Sequence, residues 1–381
     1  MQQHLVSTVR MARRSAVAAC SLAATAAALA LLAPSPSADA AEAKAATSAA
    51  DFGGMDGLVA AAKKEGELNV IALPPDWANY GEMIKTFGDK YGIKVNSAQP
   101  DASSQDEINA ANQLRGQARA PDVFDLGTNV ALRNTELFAP YKVATWADIP
   151  EALKDPNGLW VNDYGGYMSI GYDAGKLPAI TGVNDLLKPE FKGKVALNGN
   201  PTQASAGFHG VVMAALANGG SGDDVTPGLE FFKKLKAAGN FLPVDPTPAT
   251  IASGETPVVI DWEYLNVAQR KALEGTVDWQ LVVPEGAAVG AYYVQAINKD
   301  APHPAAARLW QEFLYSDEGQ NIWLQGFARP VRLDAMMKAG TADKAAAAAL
   351  PVAKGTPVYL TQAQINEQQK SLLGRWDQVV Q

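Results

Sequence analysis

Short apolar runs that give way to helical spacing constrain the fold of this chain more than any other feature. The clearest unit spans Leu186 to Leu216. Val195-Ala196-Leu197, behind the Lys192-Gly193-Lys194 turn, reads as a buried strand of a mostly parallel sheet. Gly199, Asn200 and Pro201 break it. Helical spacing then runs from Ser205 through Phe208, Val211, Val212, Ala215 and Leu216 to the Asn218-Gly219-Gly220 stop. The N-terminus of this helix offers unpaired N–H groups, and Asn200, Thr202, Gln203 and Ser205 add polar side chains beside it. An anionic group fits that position, and so does a plain N-cap role for Thr202 or Ser205.

The same alternation begins earlier. Ala41 to Gly54 reads as a small-residue linker, Met55 to Glu65 as a helix stopped at Gly66, and Leu68 to Leu73 as a buried strand. Beyond that strand lies the loop Pro74 to Tyr80, where Trp77 and Tyr80 are candidates for a pocket wall. A helix through Met83, Ile84, Phe87 and Tyr91 precedes the strand Ile93 to Val95. Ser104 and Glu107 form a capping box for a helix to about Arg119, and Asp122 to Gly127 is a further buried strand with Thr128-Asn129 past its end. This order implies a sheet wrapped by helices. Trp160 to Asp173 and Gly290 to Asn298 break the pattern with extended, aromatic and glycine-interrupted segments, which read as two crossovers between lobes.

With 381 residues there is room for two lobes. A net charge of -8, with no dense Lys/Arg footprint, argues against nucleic acid as a partner. Residues 1–40 read as a signal peptide: Arg10, Arg13 and Arg14 precede an apolar run, and Ala38-Asp39-Ala40 is an A-x-A-type cleavage site. Cleavage near Ala40 would remove Cys20, the single cysteine, so no intramolecular disulfide is available. The expected compartment is the periplasm.

Catalysis finds no foothold. His4, His209 and His303 lack metal-ligand spacing, and there is no G-x-S-x-G elbow, phosphate-binding P-loop or dinucleotide fingerprint. No cofactor and no resident metal are implied. The strand Pro257 to Ile260, however, ends in Asp261-Trp262-Glu263-Tyr264, two acids and two aromatics together. One acid is expected to face a ligand while the other caps a neighbouring element. Cation-π faces are available from Trp77, Trp262, Tyr264 and Tyr293. The competing reading makes Trp262 core and Asp261 a structural cap.

Ala61-Ala62-Lys63-Lys64-Glu65-Gly66, Pro121-Asp122-Val123, Asp185 to Val195 (DLLKPEFKGKV) and Ala306 to Gly319 (AARLWQEFLYSDEG) resemble the solute-binding proteins of ABC importers. The likeness is to the type II cluster that includes polyamine, ferric-iron, thiamine and phosphonate receptors, and it covers essentially the whole mature chain. It implies an α/β, two-lobed type II periplasmic-binding-protein fold with two crossover hinge segments. Lobe 1 would hold 41–168 with 286–330 returning to it, and lobe 2 would hold 169–285 with 331–381 packed on it. It also implies a monomeric binding protein, not an enzyme, that hands a small-molecule solute to an ABC permease in the inner membrane.

Carried over residue by residue, the resemblance disfavours iron, because Asp261 to Tyr264 stand where ferric receptors resemble one another in a tyrosine pair. Tyr292-Tyr293 at the second crossover keeps iron in view. Polyamine receptors tend to carry acids in the loop matching Asn198 to Gln203, and this chain does not. The expectation is a small amine-bearing or zwitterionic solute, such as a polyamine, an amino acid or an aminophosphonate. The alternatives are a ferric-iron or thiamine-type receptor of the same fold, a receptor serving a signalling partner, and an exported two-lobed transferase-like enzyme.

Overall fold

A computed structural model describes residues 38–380. The expected signal peptide as far as residue 37, Cys20 included, lies outside the described residues. The stretch read as a linker instead forms helix α1 (Ala38–Ala45) and a 3-10 turn (Ala49–Phe52). Ala43 and Ala46 are buried there, and the Arg308 guanidinium donates to the Lys44 and Ala46 carbonyls. Small residues serve close packing at this position.

The expected alternation follows. Helix α2 (Met55–Glu65) buries Leu58 and Ala62 and stops at a left-handed Gly66, and β1 (Glu67–Ile71) enters the core directly. Then come α3 (Tyr80–Tyr91), β2 (Lys94–Ala98), α4 (Ser104–Gln113), β3 (Val123–Gly127), α5 (Thr128–Ala131), β4 (Phe138–Ala139) and the long β5 (Val161–Asp173). The capping box of α4 sits one residue earlier than expected, on Ser103 and Asp106, and the helix ends at Gln113, well short of Arg119. Ser104 and Glu107 face inward instead: the Ser104 hydroxyl accepts the Gly127 N–H and the Glu107 carboxylate accepts the Asp125 N–H.

Beyond β5 the chain builds β6 (Val195–Leu197), α6 (Ser205–Leu216), α7 (Thr226–Ala237), α8 (Pro248–Ser253), β7 (Val258–Trp262), α9 (Glu263–Ala272) and β8 (Trp279–Val282). It returns through β9 (Val289–Asn298) to α10 (Pro304–Leu314), α11 (Asp317–Gln325), β10 (Arg329–Pro330) and β11 (Val358–Tyr359). Strands β1 and β2 pair in parallel, as do β6 and β7. The sheet is nevertheless mixed, not mostly parallel. Strand β5 pairs antiparallel with β9 over Val161–Tyr167 and with β7 and β8 over Met168–Asp173, and β3 and β4 pair antiparallel with β9. Strands that carry the chain out and back again must oppose one another, and local apolar runs do not encode that direction.

Between Asn162 and Gly165 the β5–β9 register slips, so β5 carries an extra residue against β9. Close approach requires glycine at Gly165, because a Cβ there would lie 2.1 Å from the Ala291 carbonyl oxygen. The bulge turns Asp163 and Tyr164 inward, where both are fully buried. Of the C-terminal stretch expected on the second lobe, Met336, Ala342 and Leu350 pack with Leu324 of α11, while Trp376 packs on Phe232 of α7. Among the described residues, no helix is long and apolar enough to cross a membrane.

Candidate binding cleft

The segments after β1, β2, β6 and β7, with β3 itself, converge on a cavity of about 340 Å³. Cavities at strand ends of an α/β sheet are where ligands of such folds bind. From one side come Asp76 and Trp77 after β1, Asp101 to Glu107 around α4, and Asp125 of β3. The facing side supplies Asn198 to Asn200, the first turn of α6, Asp245 before α8, and Asp261 of β7. Ala72 (φ 57°), Ala78 (φ 46°) and Asn79 (φ 67°) all hold left-handed backbone in the loop that carries Trp77. Such positions cost non-glycine residues roughly 1–3 kcal/mol each and persist only where the surroundings fix them. Trp77 is fixed in turn by the hydrogen bond from its Nε1 to the Tyr164 hydroxyl at 2.8 Å.

The electrostatics are one-sided. Seven carboxylates line the cavity and no lysine, arginine or histidine does. Asp76, Asp101, Asp106 and Asp245 are exposed around its mouth. Glu107, Asp125 and Asp261 are buried on its floor. Burial holds the Glu107 carboxyl well above its ordinary range, and it raises Asp261 to about 7 against the opposing hydrogen bonds from Asn198 and the Trp262 N–H.

Asp125 anchors the floor. Its Oδ2 accepts the Tyr164 hydroxyl at 3.0 Å, completing a chain from the Trp77 indole through Tyr164 to the carboxylate, while its Oδ1 has no partner. Burial raises Asp125 to about 7, with hydrogen bonds from Tyr80 and Tyr164 pulling the other way. Asp163, raised further by burial and by the Asp125 charge, accepts the Gln295 side-chain amide at 2.9 Å. The Tyr164 ring stacks on Tyr293 with centroids 5.5 Å apart, and Trp77 meets Tyr293 edge-on at 5.7 Å.

The structure brings Trp77, Asn200, Ser205, Asp261 and Tyr293 together on the cavity wall. Asp261 has both oxygens engaged, Oδ1 by the Trp262 N–H and Oδ2 by the Asn198 side chain at 2.9 Å. The remaining candidates lie behind the wall. Tyr80, Trp262 and Tyr264 are fully buried in the aromatic layer, with Trp262 donating to the Tyr293 hydroxyl at 3.2 Å. Glu263 opens α9, accepts the Tyr167 N–H and lies 3.8 Å from the Arg329 Nε; burial raises it to about 8 against the pull of Arg329.

Tyr292 turns to the opposite face of β9 and stacks on Tyr359. The Thr128 hydroxyl donates to the Tyr292 carbonyl. Asn129 and Thr202 share one side chain: Gln369 accepts from the Asn129 amide and donates to the Thr202 carbonyl. The α6 N-terminus is capped by Ala204, without a side-chain hydrogen bond, so neither Thr202 nor Ser205 is the cap. His209 is buried within that helix, and burial lowers it to about 4.

Sequence reasoning missed Asp125, Asp163 and Tyr164. The signal was present in Asp122-Val123-Phe124-Asp125-Leu126-Gly127, where two acids interrupt an otherwise apolar strand. Asp122 is consumed by the fold, accepting the Asn69 N–H, the His303 N–H and the His303 Nδ1. Asp125 is left over. Among the described residues, no group of three or more His, Cys, Asp or Glu is arranged to hold a metal ion.

The family model for bacterial extracellular solute-binding proteins matches residues 121–354. No curated protein matches the sequence. Among solved structures, the periplasmic binding protein AgtB of A. tumefaciens R10 in complex with agropinic acid superposes with a TM-score of 0.66 at 15% identity, covering 83% of this chain and 98% of that one. AfuA from Actinobacillus pleuropneumoniae with fructose-6-phosphate bound gives 0.62 at 18% identity, with coverages of 83% and 98%. Iron-bound HitA from Pseudomonas aeruginosa gives 0.59 at 22%, with coverages of 82% and 99%. These likenesses establish the fold, the two-lobed type II arrangement of periplasmic binding proteins. The ligands differ from one neighbour to the next.

Proposed function

The chain belongs to the family of bacterial extracellular solute-binding proteins, and from that premise we propose that it captures a small amine-bearing solute between its lobes for an ABC permease. The observation that carries this reading is the one-sided cavity: seven carboxylates, no cationic side chain and about 340 Å³ of space. An anionic solute would meet uncompensated carboxylates there, whereas an ammonium neutralises them at short range. Trp77 and Tyr293 offer apolar and cation-π surface for the carbons beside the charge. Strands β5 and β9 serve as the hinge segments, with the division between lobes near residue 168 on the way out and near 286 on return. Residues 1–40 direct export to the periplasm. A ligand that touches both sides only when they close supplies the differential affinity that closure needs.

A zwitterion is the second reading, and the α6 N-terminus favours it. With Ala204 as its cap and Ser205 on the cavity wall, that helix end presents a positive dipole to the same space. A thermal-shift screen against putrescine, spermidine, amino acids, aminoethylphosphonate, ferric citrate and thiamine separates these readings. A ligand at a hundredfold its Kd adds about 2.7 kcal/mol and raises the Tm by several degrees. Shifts with amines support the proposal, shifts confined to zwitterions select the second reading, and shifts with purely anionic or ferric ligands alone overturn both.

A further inference from the structure

We propose that Arg329 and Glu263, neither of which lines the cavity, set the solute affinity from the far side of the hinge: their ion pair is completed only in the open protein and works against closure. The inference goes beyond the amine reading and rests on the proposed division into lobes at β5 and β9. Strand β5 changes partners in one step, Tyr167 being the last residue paired with β9 and Met168 the first paired with β7. Arg329 of β10 pairs opposite Gly165, before that step, and Glu263 follows β7 directly, beyond it. The two charges therefore come from the two sides of the hinge. They meet on the face of the crossover strands turned away from the cavity. Tyr293 lines the cavity, its neighbour Tyr292 points the other way and stacks on Tyr359, Tyr359 meets Tyr167 edge-on, and the Arg329 Cζ lies 4.8 Å from the centre of the Tyr167 ring.

The pair is unfinished in this structure. Arg329 Nε stands 3.8 Å from Glu263 Oε1, beyond hydrogen-bond reach, and both atoms are buried without another partner. Each group is anchored by a different atom: Glu263 Oε2 accepts the Tyr167 N–H at the pivot, and Arg329 Nη2 donates to the Pro351 carbonyl. Gly166 admits the carboxylate, since a Cβ there would lie 2.2 Å from Glu263 Oε2. A charged donor and acceptor buried this close and left unjoined forgo the strongest class of protein hydrogen bond. Such bonds run about 2.7–2.9 Å, so an approach of about 1 Å completes this one.

The hinge gives that approach its direction. Gly127 and Ser205 touch across the cavity here, with no room between them for a methyl group, so the two sides are drawn together at the cavity face. When lobes rotate about β5 and β9, groups on opposite faces of those strands move in opposite senses. Opening the cavity face therefore brings Arg329 and Glu263 together, and closing over a solute stretches them apart. The empty, open protein holds the completed bond, the loaded protein gives it up, and the solute's affinity is lower by the difference.

Glu263→Gln keeps an oxygen for the Tyr167 N–H and removes the charge facing Arg329, while Arg329→Met keeps an apolar stem on the Tyr167 ring and removes the guanidinium. In calorimetric titration with putrescine and spermidine, each variant should bind about fivefold more tightly than wild type, and the double variant no more tightly than either single. Urea unfolding of the empty proteins should show the double variant losing less stability than the two singles together. Affinity that falls or stays the same in a folded variant overturns the inference, because a pair that merely holds the fold together cannot tighten binding when it is removed. Additive losses in the empty proteins overturn it without any solute, and so does failure of both single variants to fold. Small-angle scattering of the wild type tests the premise by itself: a radius of gyration unchanged by a bound solute overturns the hinge and this inference with it. Failure of the wild type to bind any amine overturns the amine reading alone and leaves the empty-state comparison to judge the pair.

Discussion

Replacing Gly127 with alanine should weaken solute binding by more than it destabilises the empty protein. Gly127 ends β3 on one side of the cavity, and Ser205 opens α6 on the other. A Cβ built on Gly127 would lie 2.5 Å from the Ser205 Cβ and 3.2 Å from its Cα on the facing side, and 2.8 Å from the buried Asn129 Oδ1 on its own side. Carbon atoms settle about 3.5–4.0 Å apart, so the alanine methyl requires the two sides to part by roughly 1–1.5 Å at this point. The backbone raises no separate objection, since Gly127 sits at φ -57° and ψ 137°, where alanine is at ease. An extra methyl forced into a packed contact costs about 1–3 kcal/mol. In a hinged protein the empty form evades the Ser205 part of that cost by opening and keeps only the adjustment at Asn129, whereas the closed, loaded form has to bear both. The expected result is a solute affinity about 5–150-fold weaker, an empty-state Tm lowered by less than that of the loaded protein, and a larger radius of gyration in the presence of solute by small-angle scattering. An equal loss of stability in the empty protein would refute the reasoning, because the contact would then be permanent core. So would unchanged affinity.

Three further outcomes follow from single contacts. Trp77→Phe keeps a ring on the wall but removes the Nε1–H bond to the Tyr164 hydroxyl, and calorimetric titration should show solute bound about 3–10-fold more weakly. Asp185 accepts from Thr181, Gly182 and Lys188, and the Lys188 hydrogen bond is the largest of the influences holding its carboxyl below the ordinary range. A depressed folded value gives stability that is full above about 4 and fades as pH falls towards the folded value, so Asp185→Ala should cost about 1 kcal/mol at pH 7 in urea unfolding, with a gap to wild type that begins to narrow only below pH 4. Gln369→Ala strips a partner from the buried Asn129 amide and from the Thr202 carbonyl, and denaturant unfolding should report about 1–3 kcal/mol lost.

The elements that the sequence revealed are those whose signals are local. Helix α2 has an apolar stripe and a left-handed glycine stop, and α6 opens at the break after Gly199-Asn200-Pro201; both begin where the pattern places them. Where two local signals overlap, burial decides between them. Ser103-Ser104-Gln105-Asp106-Glu107 contains two capping boxes one residue apart, and the pair that caps is the one whose alternative partner is solvent, since Ser104 and Glu107 are claimed by β3. Strand direction was illegible for a different reason: antiparallel pairing of β3 with β9 joins Val123–Gly127 to residues more than 160 positions away. The cleft divides in the same manner. Asp261 announces itself by standing among aromatics at a strand end. Asp125 is hidden inside an apolar run, and its role comes from Tyr164, which reaches it only through a bulge in a distant strand. Tyr80, Trp262 and Tyr264 share the chemistry of a wall, but Trp262 stacks on Tyr264, Tyr80 packs on Tyr164 and Trp323, and that layer supports the floor without lining it.

The support has a direction. Asp125 and Tyr164 lie on β3 and the first part of β5, which both pair with β9, and Trp77 lies in the loop after β1 and is tied to them through the Tyr164 hydroxyl. On the proposed two-lobe reading, motion that carries β6, β7 and α6 away takes Asp261 with it but leaves this hydrogen-bond chain intact, so this part of the floor stands assembled before closure. Asp261, Asn198 and Ser205 arrive with the other side. An ammonium can thus be recognised before closure at little ordering cost, and the second side adds its contacts only once it has closed over an occupied floor.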